Sequence, residues 1–178
     1  MVKVLVPLVD GFEEIEAVSV IDVLRRAGAD VVVAGLPGTM VTGSQGLRVH
    51  ADARLDELSP EDFDAIVLPG GSPGYQNLMK SETILDFVRK MAEKGKVLGA
   101  ICGAPLVLEK AGVLKDRRAT AYPGLEKELS RPWEGDVVVD GNVVTSRGPG
   151  TAVKFAISLV EKLFGPERAM AVRSQILA

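Results

Sequence analysis

Short apolar runs alternate with amphipathic segments along the chain. Val2 to Val9 is a continuous apolar stretch rich in β-branched residues, the pattern of a strand buried on both faces. Beyond Gly11-Phe12-Glu13-Glu14, the residues Ala17, Val20, Ile21 and Leu24 recur at the spacing of one helix face. Arg25-Arg26 complement that helix's dipole in its last turn, and Gly28 stops it. Val31 to Ala34 is a second buried strand. Residues 39–54 break into short apolar pieces around Gly43-Ser44-Gln45-Gly46 and predict a small hairpin on the edge of the main sheet.

The same reading continues past the turn at Ser59-Pro60-Glu61-Asp62. Asp64 to Leu68 is a strand closed by Pro69-Gly70-Gly71, and Ser81 caps a helix that runs to Lys94 and stops at Gly95. Lys96 to Ile101 is a strand, and Gly103 to Ala111 is helical, with Pro105 tolerated in its first turn. Val137 to Val144 reads as a hairpin around Asp140-Gly141. Thr151 to Phe164 is a long helix with Val153, Ile157 and Val160 on one stripe, and Gly165-Pro166 opens a last short one. Strand-helix-strand order recurs throughout, so the chain predicts an α/β sandwich around a mostly parallel sheet. With 178 residues and no linker or repeat, residues 1–178 are expected to form one domain.

Composition narrows the function. Lys+Arg 21 against Asp+Glu 24 leaves a net charge of −3, with no basic run to bind nucleic acid. One cysteine excludes an intramolecular disulfide and a CxxC site, and one histidine beside it excludes most metal clusters. No apolar run approaches the ~20 residues of a membrane span. The N-terminal run has no small-residue cleavage pattern, so it reads as a strand and the expected location is cytoplasmic.

In a parallel sheet ligands bind outside the carboxyl ends of the strands, which selects five loops: 10–16, 35–38, 69–72, 102–103 and 146–150. The one cysteine lies in such a loop. Ala100-Ile101-Cys102-Gly103-Ala104 places a nucleophile between small neighbours at a strand-to-helix turn, the form of a nucleophile elbow, where a helix N-terminus is expected to favour thiolate. A lone cysteine is commonly a small buried hydrophobe; the elbow context favours the nucleophile. Gly70 and Gly71 either form a plain tight turn or free their amides for an oxyanion. Glu13 and Glu14 read as water-facing complements to the helix dipole. Glu16 either does the same or reaches the nucleophile, where burial would raise its pKa and make it a proton shuttle. His50, in the hairpin, reads as a surface or packing residue, and Arg147 as a loop anchor or an anion ligand. A dinucleotide site is excluded because Asp10-Gly11-Phe12-Glu13-Glu14 puts acids where phosphate would sit. A phosphoacceptor receiver is excluded because Pro69-Gly70-Gly71 replaces the needed aspartate.

Four motifs in order make the chain resemble the ThiJ/PfpI family, whose members include protein deglycases and archaeal intracellular peptidases. They are Asp10 to Glu16 with Asp22 to Gly28, Leu68-Pro69-Gly70-Gly71, Ala100 to Pro105, and Thr145-Ser146-Arg147-Gly148-Pro149-Gly150-Thr151. The resemblance implies a flavodoxin-like three-layer sandwich with helices on both faces and a small edge hairpin. It implies Cys102 as nucleophile, Glu16 as the acid bonded to its sulfur, and the Gly70, Gly71 and Gly103 region as the oxyanion or substrate site. Tyr122, Arg147 and, from the hairpin, Arg48 are expected around it. A homodimer or higher homo-oligomer is implied, with the first helix and residues 43–48 near the partner subunit. Tyr122 stands where many members carry histidine, and a phenol, with an ordinary pKa of about 10, is a poor base. The resemblance therefore favours a glyoxalase or deglycase that uses no metal or cofactor, acting on 2-oxoaldehydes or glycated protein side chains. A cysteine peptidase and a non-enzymatic oxidation sensor through Cys102 remain alternatives.

Overall fold

Nine strands are present in the computed structural model, which describes residues 1–178: β1 (Lys3–Leu8), β2 (Asp30–Gly35), β3 (Met40–Thr42), β4 (Arg48–His50), β5 (Ala53–Arg54), β6 (Ala65–Leu68), β7 (Val97–Ile101), β8 (Val137–Asp140) and β9 (Val143–Ser146). Six α-helices accompany them: α1 (Glu14–Arg26), α2 (Gly74–Lys80), α3 (Glu82–Glu93), α4 (Pro105–Lys110), α5 (Ala152–Phe164) and α6 (Pro166–Gln175). Seven strands form one sheet in the order β5-β2-β1-β6-β7-β9-β8, parallel except for the antiparallel edge strand β8.

The sheet sorts its side chains by the period of two. In β1, Val4, Val6 and Leu8 join the core under α1, α5 and α6, whereas Leu5 joins the opposite core with Ile84, Leu85 and Val88 of α3. In β6, Ala65 and Val67 face one way and Ile66 and Leu68 the other. Both faces are therefore covered, which is why these strands read as unbroken apolar runs. The result is a three-layer, flavodoxin-like sandwich. No helix is long and apolar enough to cross a membrane.

The start and stop signals sit where the pattern predicts them. Ser81 accepts a hydrogen bond from the Ile84 amide as the cap of α3. Gly28 follows α1 with φ +96°, a conformation that costs glycine nothing. Three details differ. The hairpin β3–β4 pairs only with itself beside the sheet, and the edge is closed by β5, which pairs in parallel with β2. α5 buries Ala152, Phe155, Ala156, Leu159 and Val160; of the predicted stripe Val160 lies in the core and Ile157 packs against it, while Val153 faces outward. α2 adds a seven-residue helix, with Pro73 at its N-cap, between the predicted strand and the helix capped by Ser81.

Candidate active site

The carboxyl ends of β1, β6, β7 and β9 converge on Cys102. β7 ends at Ile101, α4 starts at Pro105, and between them Cys102 adopts φ +66°. A residue bearing a Cβ is strained there by roughly 1–3 kcal/mol, and surrounding bonds must hold it. The Cys102 amide donates to Ser146 O on β9 at 3.0 Å, and the Tyr122 amide donates to Cys102 O at 2.8 Å. The side chain is half-buried.

Glu16 lies in the first turn of α1 and has no exposed surface. Its Oε2 accepts the Gly70 amide at 2.7 Å, and its Oε1 is buried without a hydrogen-bond partner of good geometry. The carboxyl and the Cys102 side chain face each other directly, and both crowd Gly70. A Cβ there would lie 2.6 Å from Cys102 Cβ and 3.0 Å from Glu16 Oε2, so no other residue fits. The Gly70 carbonyl is held in turn by the Glu13 amide at 2.9 Å. Gly103 is equally constrained, because the Tyr75 ring occupies the space a side chain would need.

Two polarities oppose each other at the sulfur. Burial, then the adjacent Glu16 carboxylate, push the Cys102 thiol up to about 12, while the amides of Gly71 and Gly103 favour the thiolate. The expected depression of this thiol by a helix N-terminus is therefore reversed: α4 is only six residues long, and burial beside a carboxylate outweighs it. Burial likewise pushes the Glu16 carboxyl up to about 7, with the Gly70 amide and Cys102 opposing the rise and the Glu13 charge adding to it. The two groups titrate as a pair. When Glu16 holds the proton, the charge that opposes thiolate is gone and the two amides remain.

The other candidates fall outside this core. Tyr122 is 48% exposed and touches the site through its backbone. Arg147 is ion-paired to Asp136 at 3.9 Å and lines an open cleft of about 600 Å³ with Thr120, Trp133 and Glu134. Arg48 is exposed on β4. His50 lies 3.5 Å from Thr39 Oγ1 across the hairpin, and it is not among the groups acting on Cys102. No group of three or more His, Cys, Asp or Glu side chains converges to hold a metal ion.

Two acids read from the sequence as water-facing have structural partners. Glu13 is 9% exposed, caps α1 by accepting the Ile15 amide, and receives the Ser44 hydroxyl at 3.5 Å. Glu14 Oε1 accepts the amides of Gln45 at 2.7 Å and Leu47 at 3.3 Å, clamping the hairpin to α1. Partial burial opposes its ionisation, but these bonds and the Ser44 hydroxyl outweigh that and hold the carboxyl below its ordinary value. Tyr75, packed on Gly103, was also missed; an aromatic after Pro-Gly carries no local signal for that contact.

A cysteine on a strained strand-to-helix turn, set against a buried carboxyl, defines an α/β protein of the cysteine-elbow class. A model of the DJ-1/PfpI family matches residues 2–162, and the chain belongs to that family. It is 46% identical over 172 residues to Protein DJ-1 homolog B of Arabidopsis thaliana, across 94% of this chain and 39% of that protein. The chain thus spans less than half the length of its Arabidopsis relatives. A Pyrococcus abyssi protein named as a deglycase is 37% identical over 165 residues, 90% of this chain and 99% of that one. The structure of oxidized Toxoplasma gondii DJ-1 superposes with a TM-score of 0.97 at 40% identity, covering 99% of this chain and 98% of that one.

Proposed function

We propose that this chain is a cysteine-dependent enzyme of the glyoxalase or deglycase type, acting on 2-oxoaldehydes such as glyoxal and methylglyoxal, or on the early adducts they leave on protein side chains. The observation that carries this reading is Glu16 and Cys102 facing each other directly beside Gly70, with two backbone amides directed at the sulfur. The archaeal relative named as a deglycase supports the substrate class.

The chemistry follows from that arrangement and calls on no cofactor. The reactive form is the one in which the proton shared by the pair sits on Glu16 and Cys102 is thiolate. The thiolate adds to the aldehyde carbon of methylglyoxal, and Glu16 gives its proton to the new oxyanion, leaving a hemithioacetal. Glu16 carboxylate then takes the proton from that carbon to leave an enediolate, the hydroxyl proton passes to the neighbouring oxygen, and the proton held by Glu16 returns to the neighbouring carbon to give a thioester. Water cleaves the thioester to lactate and frees the thiol. The sum is methylglyoxal plus water giving lactate. The amides of Gly71 and Gly103 lie where negative charge develops.

Peptide hydrolysis demands an acid to protonate the leaving amine. Tyr122 is half-exposed, and His50 is engaged at the hairpin, so neither serves. Parallel incubations with methylglyoxal, unfolded protein and peroxide test the reading. Lactate formation that depends on Cys102, with negligible peptide cleavage, is expected. Peptide cleavage lost in both Cys102→Ala and His50→Ala contradicts it, and oxidation of Cys102 without any turnover favours a sensor. The active form is proposed to be a homodimer joined through α1 and the hairpin, because Ile15, Val18, Met40 and Leu47 expose apolar side chains there. Light scattering giving the 18.9 kDa mass of one chain at micromolar concentration would refute the dimer.

A further inference from the structure

The cleft of about 600 Å³ that Arg147 lines takes no part in the chemistry above, yet two of the segments bounding it are bonded to the backbone of Cys102. Ala121 and Pro123 flank Tyr122, whose amide donates to Cys102 O at 2.8 Å. Arg147 follows Ser146, whose carbonyl accepts the Cys102 amide at 3.0 Å. A smaller hollow of about 200 Å³ beside Tyr122 and Gly148 shares Pro123 and Arg147 with the cleft. A three-carbon aldehyde occupies little of this space, whereas clefts of this size hold far larger ligands.

The lining suits a polypeptide of positive charge. Trp133, 54% exposed, and the exposed Tyr122 stand among Pro123, Pro132 and Pro149. Exposed tryptophan and tyrosine are the side chains that most often anchor a protein partner. Trp133 is held in place by the Arg118 guanidinium, 5.1 Å from its ring centre, and by its own amide, which donates to Ala119 O at 2.8 Å. Of the carboxylates in the lining, Asp136 is matched by Arg147 at 3.9 Å and Lys154 at 3.2 Å, while Glu126 and Glu134 form no ion pair. Thr120 also lines the cleft while only 4% exposed. Its amide donates to Thr145 Oγ1 at 3.0 Å, and its hydroxyl makes no hydrogen bond within the fold, which leaves a buried polar group for a ligand to meet.

We propose that this cleft is a docking subsite for a basic segment of polypeptide, which it holds so that an adduct on one of the segment's side chains reaches Cys102. The inference rests on the catalytic reading above and narrows its substrate class toward adducts carried on protein. Glu126 and Glu134 attract lysine and arginine of the segment, and Trp133 with the prolines covers the apolar stems of those side chains. The Thr120 hydroxyl meets a polar group of the segment. An acidic segment is repelled by the same two carboxylates.

The test reads binding without turnover, so it stands apart from the catalytic reading. Trp133 is the one tryptophan of the chain, and its fluorescence therefore reports on this cleft. The wild type is titrated with a short unmodified peptide rich in arginine, and with the same peptide carrying glutamate in place of arginine. The basic peptide is expected to give a saturable change and to bind about tenfold more tightly than the acidic one. Glu134→Lys, a change at an exposed position, is expected to weaken the basic peptide by a similar factor. Saturating basic peptide should also slow alkylation of Cys102, the one thiol, by iodoacetamide. Saturable, charge-selective binding supports the subsite even in a protein that forms no lactate, a result that would count against the chemistry alone. No fluorescence change, an equal response to both peptides, wild-type binding by Glu134→Lys, or alkylation unaffected by bound peptide each overturns the proposal.

Discussion

Replacing Glu16 by glutamine should change how the fold's stability responds to pH. The Glu16 carboxyl is raised from 4.5 to about 7, chiefly by burial. The folded protein thus holds this proton more tightly than the unfolded chain does. Its contribution is complete below pH 4.5 and is lost as pH rises through about 7. At about 1.4 kcal/mol per pH unit, the full swing is about 3 kcal/mol, and most of it, about 2.5 kcal/mol, falls between pH 5 and pH 8. Glutamine fills the same space and cannot ionise, so Glu16→Gln loses this dependence. Urea unfolding of both proteins at pH 5 and pH 8 isolates the effect, because packing differences and every titration not coupled to Glu16 cancel in the difference between the two pH values. The wild type should lose about 2.5 kcal/mol more than the variant on going from pH 5 to pH 8. Parallel losses, or a wild type that gains on the variant as pH rises, would refute a carboxyl held protonated by burial.

Gly70→Ala should abolish the geometry of the pair. Its Cβ meets Cys102 Cβ at 2.6 Å and Ile101 O at 2.7 Å, so a folded variant is expected to lose about 1–3 kcal/mol and at least tenfold in methylglyoxal turnover. Wild-type turnover in a protein of wild-type stability would show that the close approach does not matter. Glu14→Ala removes the acceptor shared by the Gln45 and Leu47 amides, and should cost about 1–2 kcal/mol while opening residues 43–47 to protease. Unchanged cleavage there would place the hairpin's anchor elsewhere. At the elbow, Cys102→Gly should be about 1 kcal/mol more stable than Cys102→Ala, since glycine accepts φ +66° without strain; equal melting of the two would mean that the turn is relaxed.

How far the sequence carried the reading depends on how local each signal was. Val4 to Leu8, Ile66 to Leu68 and Leu98 to Ile101 announced buried parallel strands because both faces of the sheet are covered. The β8–β9 hairpin forms as predicted, but Asp140 pairs with Val143, so the turn residues are Gly141 and Asn142. Only Gly141, at φ +59°, is left-handed, whereas the Asp-Gly turn that the dipeptide suggests has two left-handed residues. Cys102 and Glu16 were legible because they stand in carboxyl-end loops, where the topology gathers chemistry, and the structure brings both to Gly70. Glu14 was misread because the amides it binds lie some thirty residues away, and nothing local distinguishes a clamp from a solvated acid. The thiol's proton affinity was misjudged for a similar reason. A helix start is visible in sequence, but the depth of burial and the carboxylate set against the sulfur exist only in the folded chain.

The central claim is that Cys102 drives turnover of a 2-oxoaldehyde. A progress curve for lactate formation from methylglyoxal, with the wild type beside Cys102→Ala at matched concentration, tests it most directly. The account predicts steady lactate production by the wild type and none above the uncatalysed rate from the variant. Equal rates in the two proteins, or no lactate from the folded wild type, would contradict it.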